Sequence, residues 1–333
     1  MEDPVRFALM LEPQQGLTYD DQLQIARLAE RLGFEALFRS DHYANFPGDA
    51  DGPATDAWTV LAGLARETST IRLGSLVSPV TFRHPGNFVK VVTTVDEMSG
   101  GRIEVGVGAG WNDDDHGPLG LAFPPIEERA DLLEDELAIL HGLWAEDDGW
   151  TYDGRHLQVT GSRLRARPGD GPAHVVENGR SRPRIMTGGD GSPRGLRIAA
   201  RWADEFNLSS SSPERTAERM EMLDEACRAI GRDPASLTRS AMVGVLVAED
   251  EAALRARVAA MLRTFAIDPA EADGWLEGRR ARWIVGTPDE ARAMVRRYAA
   301  AGIERIMLQD FLPWDHAMIE LLAREMLGQQ YDT

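Results

Sequence analysis

Residues 71–110 restrict the fold most, because their pattern predicts a strand, a helix and a second strand. The run 71–77 is apolar and contains β-branched residues, which is typical of a buried strand. Pro85 stands at a helix start, where its missing N–H is tolerated, and Gly100 and Gly101 indicate the helix end. Apolar residues then alternate from Ile103 to Val107. A strand–helix–strand unit of this length implies a right-handed crossover and a parallel sheet.

The same alternation of strands and helices continues along the chain. It predicts strands at 5–11, 36–39, 71–77, 103–107, 184–187, 205–208, 237–247 and 303–309. Eight such units in 333 residues suit an α/β fold of the (β/α)8 TIM-barrel type, with residues 1–333 in one domain. The segment 149–183 breaks the pattern, and we interpret it as an insertion on the barrel face.

Composition narrows the class of protein. A formal net charge of −18 makes nucleic acid a poor candidate ligand, because duplex-binding proteins present a basic face. No apolar run approaches the roughly 18 residues of a membrane span, so we expect no membrane association. The start, MEDPVRF, does not fit a signal peptide. Cys227 is the only cysteine, which excludes an intramolecular disulfide and fits a cytoplasmic location.

Candidate functional residues follow from the barrel rule that active-site loops come after the carboxyl ends of the strands. Asp41 and His42 follow the second strand, and an imidazole can transfer protons near neutral pH. The alternative is a histidine held by a structural hydrogen bond. Glu12 follows the first strand and is the second catalytic candidate, with a structural carboxylate as the alternative. The rule also selects Val77, Ser78, Trp111, Asn112, Asn207, Gln309 and Asp310.

A glycine-rich turn follows the fifth strand and consists of Thr187, Gly188, Gly189, Asp190 and Gly191. Glycines let backbone N–H groups approach an anion, and the helix that follows contributes partial positive charge. The turn therefore predicts a phosphate site, with an ordinary glycine turn as the alternative.

Two other motifs are rejected as binding sites. The sequence GVGAG at 106–110 lacks the apolar helix and the later acidic residue of a dinucleotide fingerprint. The acidic run 113–115 and His116 match no common metal-ligand spacing, so we interpret them as a solvated loop and predict no metal.

Several segments carry a family resemblance: FALMLEPQ, GFEALFRSDHY, TFRHPGNFVK, TVDEMSGGRIEVGVGAGW and MTGGDG. With them, the chain resembles the bacterial-luciferase-like flavin and deazaflavin oxidoreductases, in particular the group that depends on coenzyme F420. The resemblance implies a cofactor ring over the strand ends, in contact with Asp41, His42 and Asn112. It also implies a bulge with a non-prolyl cis peptide at Val77–Ser78.

The resemblance further implies that the turn from Gly188 to Gly191 takes the cofactor phosphate. Trp111 and the insertion would complete the substrate pocket, with 163–182 as a lid. One departure concerns the substrate: sugar-phosphate dehydrogenases of this group have a glutamate where this chain has Ala109. Their phosphate-binding lysines are absent too, so glucose 6-phosphate is not expected.

The leading functional hypothesis is an F420-dependent oxidoreductase that transfers a hydride to or from an unidentified small organic molecule. One alternative is an FMN-dependent monooxygenase that uses O2 and is supplied with reduced flavin by a partner reductase. A second is a flavin-binding protein without catalytic activity. The resemblance also favours a homodimer.

Overall fold

The computed structural model describes residues 5–47, 52–165, 167–329 and 331. Its strands are β1 (Arg6–Leu11), β2 (Ala36–Arg39), β3 (Arg72–Pro79), β4 (Ile103–Gly108), β5 (Tyr152–Asp153), β6 (Gln158–Val159), β7 (His174–Glu177), β8 (Arg180–Gly189), β9 (Glu205–Leu208), β10 (Thr238–Val247), β11 (Ile284–Gly286) and β12 (Arg305–Asp310). The parallel pairs β1–β2–β3–β4–β8–β9–β10–β12–β1 close a ring. The predicted TIM barrel is confirmed.

Helices surround the barrel: α1 (Tyr19–Leu32), α2 (Ala57–Glu67), α3 (Pro85–Ser99), α4 (Ile126–Ala145), α5 (Pro193–Trp202), α6 (Pro213–Ala229), α7 (Glu251–Thr264), α8 (Ala272–Arg280), α9 (Pro288–Ala300) and α10 (His316–Met326). The main apolar core lies between strands and helices. A smaller cluster that includes Met10, Phe38, Leu76 and Met186 fills the barrel interior. The short strand β11 pairs in parallel with the last three residues of β10 and has no counterpart in the sequence prediction.

An irregularity in β3 lies at the site end of the barrel. Its register against β4 shifts between Ser75 and Ser78, so the predicted bulge is present. The non-prolyl cis peptide joins Leu76 to Val77, so the predicted position, Val77–Ser78, is wrong by one residue. The bulge places one extra residue of β3 opposite β4. As a result, Val77 lies at the rim of the barrel. A Cβ on Gly108 would lie 2.5 Å from Cγ2 of Val77, so glycine at this place in GVGAG makes room for the bulge.

The opposite end of the barrel is closed by buried charges. Arg305 Nη1 lies 2.6 Å from Glu104 Oε2 and 3.3 Å from Glu205 Oε2, and all three residues are fully buried. Arg305 Nε lies 3.1 Å from Glu35, which also accepts a 3.0 Å hydrogen bond from Arg72. Burial opposes ionisation of Glu104, but Arg305 lowers its pKa overall. These residues stand at or next to the amino ends of their strands, so an ion network fills the floor of the barrel.

The insertion 149–183 lies at this amino-terminal rim. It leaves the end of α4 and returns at the start of β8, where β7 pairs with it in antiparallel fashion. Ala173 donates its N–H to the carbonyl of Gly101, and His174 Nε2 lies 2.9 Å from Asp96 Oδ1. None of its described residues lines the cavity at the other rim. The predicted lid at 163–182 is therefore wrong, because a helix-to-strand connection lies opposite the strand-to-helix loops.

Candidate active site

A cavity of about 960 Å³ opens at the carboxyl-terminal rim of the barrel. It is lined by most of the sequence-predicted site residues: Glu12, His42, Val77, Trp111, Asn112, Thr187, Gly188, Gly189, Asp190 and Gly191. The structure thus brings the histidine after β2 and the glycine turn after β8 into one space. Asp41 and Ser78 are buried and do not line the cavity.

His42 is oriented by a carboxylate that sequence reasoning assigned to a solvated loop. Its Nδ1 lies 2.6 Å from Oδ2 of Asp115, a buried residue. The other oxygen of Asp115 accepts the N–H groups of Tyr43 at 2.8 Å and Ala44 at 2.7 Å. Burial would raise the pKa of Asp115, but these hydrogen bonds lower it overall. An ionised Asp115 requires the proton on Nδ1, which leaves Nε2 of His42 as the nitrogen that can accept a proton.

Two aromatic rings pack against this histidine. The ring centroid of His42 lies 4.6 Å from that of Phe46 and 5.6 Å from that of Trp111, both in edge-to-face geometry. Trp111 is 67% exposed although it lines the cavity. An indole this exposed gains buried area when a planar ligand covers it.

Glu12 is fixed on the other side of the cavity. Its Oε2 accepts a hydrogen bond from Gln14 Nε2 at 2.8 Å, and its Oε1 accepts one from Gln309 Nε2 at 2.5 Å. Ser40 in turn donates to Oε1 of Gln14 at 2.6 Å. Both oxygens of Glu12 thus accept hydrogen bonds, which suits a carboxylate held in one orientation.

Asp41 and Ser78 belong to a layer behind the cavity. Arg83 donates to Asp41 at 2.6 Å and also pairs with Asp56. Ser78 donates its hydroxyl to Asp41 at 2.8 Å and accepts the indole N–H of Trp58 at 2.8 Å. These contacts link the backbone before His42 to the bulge of β3. Contact of Asp41 and Ser78 with a cofactor stays a prediction.

The glycine turn has features for and against a bound phosphate. A Cβ on Gly188 would lie 3.1 Å from Val77 Cγ1, whereas Gly189 faces open space. The carboxylate of Asp190 accepts the N–H of Ser192 at 3.0 Å and therefore occupies one donor at the start of α5. Phosphate binding by this turn stays a prediction.

Two buried polar atoms in the cavity wall have no hydrogen-bond partner among the described residues: Thr187 Oγ1 and Asn112 Nδ2. Unsatisfied buried polar atoms cost free energy, so they mark places where a ligand atom would bind. One is a hydroxyl and one an amide donor, which suits a ligand with carbonyl or phosphate oxygens. The residues present therefore fit a flavin-type cofactor.

The sequence matches the family described as luciferase-like monooxygenase over residues 3–305. The chain belongs to this family. An F420-dependent glucose-6-phosphate dehydrogenase of Microbacterium testaceum is 28% identical over 327 residues, which cover 93% of each chain. A 5,10-methylenetetrahydromethanopterin reductase of Methanolobus tindarius is 24% identical over 336 residues, or 91% of this chain and 94% of the relative.

Several solved structures share the fold. An F420-dependent secondary alcohol dehydrogenase, in complex with an F420-acetone adduct, superposes with a TM-score of 0.80 at 19% identity, covering 97% of this chain and 99% of that one. A monooxygenase from Streptomyces bottropensis gives a TM-score of 0.79 at 23% identity and covers 97% of this chain and 98% of its own. Within the described residues, no helix is long and apolar enough to cross a membrane.

The sequence prediction missed two residues in the site of this luciferase-like protein, Asp115 and Arg83, and the pairing of Gln309 with Glu12. Asp115 stands in an acidic run that resembles a solvated surface, and only its position opposite His42 distinguishes it from Asp114. Arg83 lies after β3, where its pairing with Asp41 depends on tertiary structure. Gln309 was selected by the strand-end rule, but its partner Glu12 is 297 positions away in the sequence.

Proposed function

We propose that this protein is an F420-dependent oxidoreductase that acts on a small organic molecule. The observation that carries the proposal is that His42 and the turn of Gly188 to Gly191 line one cavity of about 960 Å³. A tricyclic cofactor with a phosphate-bearing side chain needs a binding site for the ring and one for the phosphate in the same space. The F420-dependent enzymes among the relatives support this cofactor.

The deazaflavin, when bound, would supply the carbon that carries the hydride. The protein would position it and handle the proton. Val77 would support the ring from the bulge of β3, and Trp111 would cover it from the opposite loop. The hydroxyl of Thr187 and the side-chain amide of Asn112 would donate hydrogen bonds to oxygens of the ligand.

His42 is the proposed proton partner of the substrate. Asp115 holds its Nδ1–H, which leaves Nε2 free within the cavity wall. Glu12 is the second candidate, but both of its oxygens already accept amide hydrogen bonds. With both oxygens engaged, Glu12 is suited to orient a hydroxyl group of the substrate rather than to exchange a proton.

The walls of the cavity favour an uncharged, largely apolar substrate. Ile126, Leu133, Ile198, Phe265 and Phe311 line it. Its charged lining residues are mainly acidic. Among the described lining residues, Arg194 is the one arginine; it is paired with Asp131 and lies 3.1 Å from Glu134. A phosphorylated sugar would meet no unpaired cation among these residues, which agrees with the presence of Ala109 where the sugar-phosphate dehydrogenases have a glutamate.

Titration of the purified protein with F420 and with FMN tests the cofactor. We expect F420 to bind at least tenfold more tightly, and Trp111 to report binding through its quenched fluorescence. Trp111→Phe should lose most of that signal while the dissociation constant, measured by calorimetry, changes little. Tighter binding of FMN, or no binding of F420, would refute the proposal.

An FMN-dependent monooxygenase is the second candidate, because a monooxygenase shares the fold and the family description names that activity. Oxygen uptake with reduced FMN, supplied by a reductase, would favour it. Stoichiometric binding of either cofactor without turnover of any alcohol, aldehyde or ketone would favour a binding protein. The homodimer and the reductase partner stay predictions, and light scattering tests the first.

A further inference from the structure

A second pocket, of about 310 Å³, adjoins the active-site cavity. The two share Asp190 and Ser209 as lining residues, so they meet where the glycine turn faces the end of β9. The rest of its lining consists of Ser210, Ser211, Ser212, Arg215 and Arg282. We call this pocket the serine–arginine groove.

The groove carries more positive than negative charge. The guanidinium groups of Arg215 and Arg282 make no ion pair or hydrogen bond with any described residue, whereas many arginines here are paired, such as Arg194 and Arg297. Two free cations against the one carboxylate of Asp190 leave an excess of positive charge. In a protein of net charge −18, such a place attracts anions selectively.

The groove is also held in shape. The hydroxyl oxygen of Tyr298 lies 2.6 Å from the carbonyl oxygens of both Ser211 and Arg282 and so connects its two walls. Ser210 Oγ is buried without a hydrogen-bond partner in the described part of the chain. Ser212 caps α6, whose amino end adds partial positive charge. The groove thus offers hydroxyl and guanidinium donors on a fixed frame.

We propose that the serine–arginine groove binds the acidic tail of the coenzyme, an inference that rests on the proposed function. Coenzyme F420 carries a chain of γ-linked glutamates beyond its phosphate, and each glutamate adds a carboxylate. A ligand whose phosphate meets the turn at Gly188 and Gly189 can extend past Asp190 and Ser209 into the groove. The two arginines then pair with carboxylates of the tail, and the groove selects for tail length.

The test is the binding of three deazaflavins, followed by calorimetry at low salt. They are the riboside without phosphate, F420 with two glutamates and F420 with six. We expect the six-glutamate form to bind roughly tenfold more tightly than the two-glutamate form, since an exposed ion pair contributes a factor of about two to five. Raising the salt concentration should reduce this difference.

Variants assign the effect to the groove. Arg215→Gln and Arg282→Gln should each weaken binding of the six-glutamate form about threefold, and together they should abolish the preference for tail length. Arg31→Gln removes the same charge from the exposed end of α1 at the other rim and should change nothing. Unchanged binding of the riboside by each variant shows that the cavity is intact.

The outcomes separate the two proposals. If the six-glutamate form binds no more tightly to the wild type than the two-glutamate form, the groove does not hold the tail as proposed, although the proposed function stands. The same conclusion follows if the double variant keeps the preference for six glutamates. If none of the three deazaflavins binds, the proposed function is refuted, and this inference with it.

Discussion

The pair formed by Asp115 and His42 gives a prediction whose size can be worked out from the contacts. In Asp115→Asn, the side-chain oxygen can still accept the N–H groups of Tyr43 and Ala44, so the loop should keep its shape. The atom that faces Nδ1 of the histidine changes from an acceptor to an N–H donor. The imidazole must then carry its proton on Nε2, where the wild type presents an acceptor.

The expected loss follows from the hydrogen bond that disappears. A hydrogen bond to a charged group contributes about 1.5–3 kcal/mol, which corresponds to a factor of roughly 10 to 150. We therefore expect kcat/KM of Asp115→Asn to fall roughly 10- to 100-fold, with the dissociation constant of the deazaflavin within about threefold of the wild type.

Two assays measure this effect. Nitrogen NMR of the histidine side chains reports the tautomer directly, and His42→Ala identifies the signal among the seven histidines. Single-turnover absorbance of the deazaflavin, with a substrate found by screening alcohols, aldehydes and ketones, reports hydride transfer. Asp114→Asn makes the same chemical change at an exposed neighbour and should match the wild type. An unchanged tautomer, or full activity of Asp115→Asn beside an inactive His42→Ala, would falsify the reasoning.

Three further predictions concern Arg83 and Asp56 behind the cavity and Gly108 in its wall. Arg83→Gln leaves the buried carboxylate of Asp41 and the half-buried one of Asp56 without their cation. It should lower the free energy of unfolding by about 3 kcal/mol in urea denaturation, and a loss below about 1 kcal/mol contradicts the ion-pair argument. Burial opposes ionisation of Asp56, but Arg83 and Thr59 lower its folded pKa to about 2, against about 3.9 unfolded. The stabilisation by ionised Asp56 is therefore present above about pH 4 and is lost as the pH falls toward 2. Between these pH values, Asp56→Asn should lose less unfolding free energy than the wild type. The same dependence of stability on pH in both proteins would exclude the effect. Gly108→Ala places a Cβ 2.5 Å from Val77 Cγ2 and should cost about 1–3 kcal/mol and weaken deazaflavin binding, whereas Gly117→Ala, with nothing within 4 Å, should do neither.

The barrel could be predicted because its signals are local. Apolar runs such as 71–77, bounded by glycine and proline, mark each strand, and the strand-end rule then selects residues at one rim. It placed His42 and Thr187 in the same cavity without knowledge of any contact. The glycines of GVGAG could be excluded as a nucleotide site, but their packing against Val77 could not be foreseen.

What could not be predicted depends on long-range pairing. Asp115 and Asp114 have the same local sequence, yet only one is buried against His42. The ion-pair partner of Asp41 is Arg83, 42 positions away. The insertion was placed at the wrong rim because its composition suggests a loop but not the end of the barrel that it covers. Its position follows from connectivity, since it joins the end of α4 to the start of β8.

The charged floor formed by Arg305, Glu104 and Glu205 affects how reactants enter and leave the cavity. In the part of the chain that the structure describes, that end is blocked, so the reactants reach the strand ends through the opposite opening. Whichever molecule sits deeper has to arrive before its co-reactant and depart after it. The order in which the reactants bind and leave thus depends on the closed end of the barrel, which lies farthest from the reacting atoms.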